Sequence, residues 1–216
     1  MSLAKHIQKT RKQESTLVPV RSYPKNCTSG FKREGYWQAH HILCLVSIGK
    51  RKDDYPPTPP ELADYLEACL WVTPWDINAG DNLIGLPTNK QYTDSDGKDP
   101  ENLPSHFVDH NTRGGYTEEV SRYLRENVWN SLTAKKKVHD VDVKKLKDEL
   151  ENASDEFRRR LLKRGGRKGG TKHCWEKRFE ESHKTTWYHP FSMGKIPNHR
   201  SPGVSLQSLK NIFQKL

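Results

Sequence analysis

Apolar positions along the chain fall into short runs and stripes that predict three helices, a further closing helix and a pair of strands. Thr58-Pro59-Pro60-Glu61 has the T-x-x-E spacing of a capping box, and Leu62, Tyr65, Leu66, Cys69 and Leu70 follow at helical spacing until Pro74. Val120, Tyr123, Leu124 and Val128 form a second stripe after Gly114-Gly115, which predicts a helix to about Leu132. A third helix is expected from about Asp142 to Arg164, apolar on Val143, Leu146, Leu150, Phe157 and Leu161 and ended by Gly165-Gly166-Arg167-Lys168-Gly169-Gly170. Gln38 to Val46 reads as a buried strand, and Leu83 to Pro87, behind the turn-forming Asp76 to Asn82, as a shorter one. Leu206, Leu209, Ile212, Phe213 and Leu216 suggest a closing helix capped by Ser205, whereas residues 171–204 have no clean period. The fold class expected is α+β, and no internal repeat is visible.

Composition changes this picture by adding charge. Only 32% of the 216 residues are hydrophobic, and the formal net charge is +10. Such an excess of Lys and Arg points to a polyanionic partner, nucleic acid first. A membrane is not favoured, because the longest apolar run, Ile42 to Ile48, is only strand-sized. No apolar stretch of the length of a secretory leader follows the basic residues of Met1 to Lys9, so synthesis in the cytosol without one is expected. The four cysteines, Cys27, Cys44, Cys69 and Cys174, include no C-x-x-C pair and are read as reduced packing residues.

The charge is unevenly spread. Residues 1–35 carry eight basic and two acidic side chains, residues 53–119 three and fourteen, and residues 133–172 fourteen and seven. Basic ends would grip phosphate, while an acidic middle would repel it unless a cation sits there. The division expected is a basic N-terminal segment (1–35), a core (36–132) and a basic helical extension packed on it (133–216). Within that extension Arg158, Arg159, Arg160, Lys163, Arg164, Arg167 and Lys168 are candidates for backbone contact with nucleic acid, the reading set against a solvated helix face.

Three places carry candidate chemistry. His40 and His41 are adjacent in the predicted strand, so they point to opposite faces, which suits one metal ligand and one base. His106 and His110 are four apart, a spacing that on a helical turn puts both imidazoles on one side, where with His40 they would supply three nitrogen ligands. Three ligands leave room for water and a phosphate oxygen, the pattern of a catalytic rather than a structural site. Asn82, at the start of the returning strand, would hold the His41 ring in one tautomer, with Asn78 the competitor for that role. Asp109 is either a surface acid or an extra ligand. His173, His183, His189 and His199 read as surface or nucleic-acid contacts, and Trp187-Tyr188-His189-Pro190-Phe191 as packing.

Taken in order, Ala39-His40-His41, Ile77-Asn78 with Asn82-Leu83-Ile84-Gly85-Leu86-Pro87, His106 with Asp109-His110-Asn111, and Tyr116-Thr117-Glu118-Glu119-Val120 resemble the AHH branch of the HNH/endonuclease VII nucleases. Many members have a His-Pro pair before the tyrosine, where this chain has Gly114-Gly115. The resemblance spans about residues 36–132 and implies a ββα-metal (His-Me finger) core holding one divalent ion. It also implies His40, His106 and His110 as ligands, His41 as general base and Asn82 as its orienter. The activity implied is metal-dependent cleavage of DNA with little sequence preference, RNA being the alternative substrate. A non-enzymatic nucleic-acid-binding module with a structural zinc is the second alternative. Imidazole ligands suit Zn, Ni, Cu or Fe, and Mg or Mn would want more oxygen. Many such nucleases are bacterial toxins, so a cognate immunity protein and a dedicated delivery route, such as type VI secretion, into a target-cell cytoplasm are expectations of the same resemblance.

Overall fold

The computed structural model describes residues 23–48, 60–88, 102–107, 110, 115–134 and 137–165. The expectations placed on Asp109, Gly114, Arg167, Lys168, Cys174, the four C-terminal histidines, Trp187–Phe191 and the closing helix lie outside these residues, as does most of the basic N-terminal segment.

Within them the fold mixes helix with one two-stranded sheet. Strand β1 (Trp37–His41) pairs antiparallel with β2 (Leu83–Pro87), with His40 opposite Ile84 and His41 opposite Leu83. All five residues of β2 are buried, and its other edge is covered as well. Gly85 donates its N–H to Ser29 O (2.8 Å) and accepts from Phe31 N (3.0 Å), a short parallel bridge through Gly30. That approach requires glycine at 85, since a Cβ there would sit 2.3 Å from the Phe31 carbonyl oxygen.

The strand carrying the two histidines is shorter than the apolar pattern predicts. It ends at His41, and the following aliphatic run turns through Ile42 and Leu43 into a short helix α1 (Leu45–Ile48). Asn82 causes the turn: its backbone carbonyl accepts from Ile42 N (2.9 Å) and its side-chain oxygen from Leu43 N (2.8 Å). Ile42, Leu43 and Ile48 are fully buried while Val46 is exposed, so the run fills the core from a bent chain. A continuous apolar stretch does not distinguish that arrangement from a buried strand.

Three longer helical segments form as the spacing predicts. Helix α2 (Pro60–Val72) buries Tyr65, Leu66, Ala68, Cys69, Leu70 and Val72. Helix α3 (Tyr116–Leu124) continues through a π turn, Arg125–Trp129, into α4 (Asn130–Thr133). The wide turn keeps Val128, Trp129 and Leu132 all inside. Helix α5 (Val143–Arg164) starts at Asp142, whose carboxylate accepts from the N–H groups of Lys144 and Lys145, and stops at Gly165 with φ 60°. Leu146, Leu150, Phe157 and Leu161 join the same core as the hairpin and α2. Cys27, Cys44 and Cys69 are free thiols. Among the described residues no helix is long and apolar enough to cross a membrane.

Candidate metal centre and its neighbouring histidine

Strand pleating separates His40 from His41 as the sequence requires. His40 points inward and is 1% exposed, whereas His41 is partly open on the other face of β1.

Around His40 the chain gathers the other two ligand candidates. The ring centroids of His40, His106 and His110 lie 5.0, 5.0 and 5.1 Å apart in pairs, and one nitrogen from each falls within 4.8 Å of the others. His106 is held by its backbone N–H to Pro87 O (2.9 Å), and His110 by its carbonyl, which accepts from Thr117 N (3.1 Å) and Thr117 Oγ1 (2.9 Å). The helical turn expected to align these two histidines is absent from the described part of the segment: Ser105–Phe107 and His110 are irregular. The cluster is assembled by the end of β2 and the start of α3, a long-range arrangement that i, i+4 spacing does not encode. Tyr116 closes its inner wall, with its ring 4.8 Å from that of His40 and its hydroxyl donating to Ile42 O (2.9 Å).

These residues fit a metal ion by two physical criteria. Burial first, then mutual repulsion, holds His40 well below the ordinary histidine range and His106 down to about 3, so both are neutral lone-pair donors at pH 7. His40 Nδ1 and His110 Nε2 are 3.3 Å apart, about the edge length of a tetrahedron of nitrogens set ~2.05 Å from a central ion. The three histidines could therefore hold one metal ion.

His41 faces a different set of groups. Its Nε2 donates to the side-chain oxygen of Asn78 (3.1 Å), and the Tyr23 ring lies 4.5 Å away. Because a carbonyl oxygen accepts only, the proton is fixed on Nε2 and the lone pair on Nδ1. Burial lowers the His41 pKa and the Asn78 bond partly opposes this, which leaves the ring neutral at pH 7. Asn78 is itself fixed, its N–H donating to Asp76 Oδ1 (2.9 Å) and its carbonyl accepting from Asn26 Nδ2 (2.8 Å).

Asn82, expected beside His41, is placed elsewhere. Its side-chain oxygen accepts from Leu43 N (2.8 Å) and Ser154 Oγ (2.9 Å), and its nitrogen donates to Leu43 O (3.1 Å) and Ile77 O (2.9 Å). The amide that meets the ring is that of Asn78. Strand pairing puts residue 82 opposite the chain beyond His41, so its side chain meets Leu43, while the turn before it lifts Asn78 to the ring. Two residues near the site drew no attention in the sequence. Gln38, two positions before His40 and on the same strand face, was recoverable from the period of 2; Tyr23, far off in the chain, had no signal.

The basic run on α5 also departs from its simplest reading. Arg158 donates to Gly80 O (3.3 Å), Asp81 O (3.1 Å), Leu83 O (3.0 Å) and Ser29 Oγ, tying the turn before β2 to the segment bridging its outer edge. Arg160 bonds Glu156 and lies over the rings of Tyr123 and Phe157. Arg159 is largely exposed and pairs with the same glutamate (2.8 Å), with Lys163 and Arg164 at the helix end. Arg158 thus serves the fold, because several carbonyls converge on its planar donor fork. Arg158→Met is expected to lower unfolding stability by about 2–3 kcal/mol, since it strips a charged donor from half-buried carbonyls. Urea denaturation would measure this, and an unchanged midpoint would show the contacts to be incidental.

Compared with protein-family models, curated proteins and solved structures, the chain matches none.

Proposed function

We propose that this protein is a metal-dependent endonuclease that hydrolyses phosphodiester bonds of DNA with little sequence preference. The observation that carries the reading is the pairing on one strand: His40 in a three-histidine cluster, and its neighbour His41 on the opposite face, held in a single tautomer by Asn78. Three histidines leave the ion an open position but do not by themselves supply a base. A second, oriented imidazole with a defined lone pair is the part that hydrolysis uses and a structural site does not.

His40, His106 and His110 would hold the divalent ion, with Zn or Ni best matched to three imidazoles and Mg or Mn the alternatives. When bound, that ion supplies Lewis-acid charge for the phosphate and the departing oxygen. His41 takes a proton from water through Nδ1 as the water oxygen forms its bond to phosphorus and the phosphorus–oxygen bond to the leaving group breaks. Asn78 keeps the opposite nitrogen protonated throughout the approach. The hairpin β1–β2 and helix α3, which meet around His40, are the elements a ββα-metal core needs. Lys and Arg from the two basic ends of the chain would track backbone phosphates, so affinity should fall steeply with salt. In the setting implied by the resemblance, the enzyme is an antibacterial toxin restrained by a cognate immunity protein in the producing cell.

The test is cleavage of supercoiled plasmid by purified protein supplied with Zn, Ni, Mn or Mg, or with chelator. Nicking is expected with at least one ion and none with chelator, with one ion bound per chain. An RNA transcript in parallel decides the substrate. Inactivity on both, together with unfolding on chelation, would replace this reading with a zinc-stabilised binding module.

A further inference from the structure

Gln38 sits on β1 with its side chain in solvent, where the core gains nothing from it. Its side-chain oxygen nevertheless meets His106 Nδ1 at 3.1 Å. We propose that Gln38 is the positioning residue of the metal centre, fixing His106 as the Nδ1–H tautomer so that Nε2 is the nitrogen left to bind the ion. The inference rests on the metal-centre reading above and adds to it which atom of His106 is the donor and what selects it.

Gln38 and His40 are two residues apart and share a face of β1, so a group meeting Gln38 is near His40 by construction. The register then brings His106 there. Trp37 pairs with Pro87, and the Pro87 carbonyl accepts the His106 backbone N–H, which anchors residue 106 beside the same end of the hairpin. His106 is therefore held at two points, its backbone by β2 and its ring by β1.

Chemistry supplies the next step. A carbonyl oxygen can only accept, so the bond requires the proton on Nδ1. A free histidine side chain in water prefers its proton on Nε2, the wrong tautomer for binding through that atom. An acceptor at Gln38 thus decides which lone pair the ring presents, and it raises the basicity of that nitrogen. Partners of this kind are worth about 10–100-fold in metal affinity.

The experiment uses the full chain with Co(II) as probe, read by visible absorption, alongside long-range nitrogen–proton correlation spectra of the metal-free protein. Wild type should show His106 protonated on Nδ1 and bind one Co(II). Gln38→Leu keeps the shape and removes the acceptor: affinity should drop about 10–100-fold, with the His106 proton moving off Nδ1 and the thermal midpoint nearly unchanged. Gln38→Glu retains an acceptor and should bind at least as tightly as wild type, which also keeps the test decisive should the leucine variant fold poorly. Unchanged affinity and an unchanged tautomer in Gln38→Leu would overturn the proposal, as would a Glu variant that binds as weakly as Leu does. If wild type takes up no Co(II), the metal-centre reading fails, and the nitrogen spectra still report whether Gln38 sets the tautomer.

Discussion

His41→Ala is expected to lower the rate of phosphodiester cleavage by about 10²–10⁴-fold while metal content stays at the wild-type level. The separation of effects follows from β1. His41 shares no cluster with the three ligand candidates, because the pleat turns it toward Tyr23 and Asn78 while His40 turns inward. Being partly exposed, it can be truncated without opening a void in the core. Loss of metal together with activity in His41→Ala would assign this histidine to the ion instead of to proton transfer. His40→Ala provides the contrast, since removing a fully buried ring from the cluster should abolish ion binding and destabilise the hairpin. Asn78→Ala should fall between, at about 10–100-fold in rate with metal retained, because the base survives but its tautomer is no longer enforced.

These contrasts also mark how far the sequence carries. Helix α5 was readable from end to end: a stripe at Leu146, Leu150, Phe157 and Leu161, an aspartate at its start and a glycine at its close are local signals. The antiparallel return of Leu83–Pro87 onto the strand of His40 and His41 was readable too, since the turn-forming Asp76 to Asn82 runs directly into that short apolar segment. The opposed directions of the two histidines follow from the strand period alone. What could not be read is where a side chain finds its partner once the chain is folded. His106 and His110 are four apart, but the backbone bonds that anchor them, to Pro87 and from Thr117, are not in that spacing. Arg158 looks like one of several surface cations, yet three carbonyls, two from the turn before β2 and one from its first residue, surround it. In both cases the deciding contacts join segments distant in the chain, and spacing holds no information about them.

The same limit explains the two asparagines, and Asn82→Ala is the substitution expected to damage the fold most. Asn82 is 1% exposed and its amide makes four hydrogen bonds, to Leu43 N, Leu43 O, Ile77 O and Ser154 Oγ. Truncation would leave a buried N–H and two buried carbonyls without partners, at roughly 1–3 kcal/mol each before relaxation. A total of about 3–5 kcal/mol is the reasonable expectation once water or local movement recovers part of it. Much of an ordinary domain's stability would be gone. Ser154 should confirm the assignment, because Ser154→Ala removes a single donor to the same oxygen and should cost only about 1 kcal/mol. Urea denaturation of the three proteins, Asn82→Ala, Ser154→Ala and Asn78→Ala, separates the roles. Asn82→Ala should shift the midpoint far more than Asn78→Ala does, while per folded molecule Asn78→Ala should lose more activity. The reverse order would return the orienting role to Asn82 and make the Asn78–His41 bond incidental.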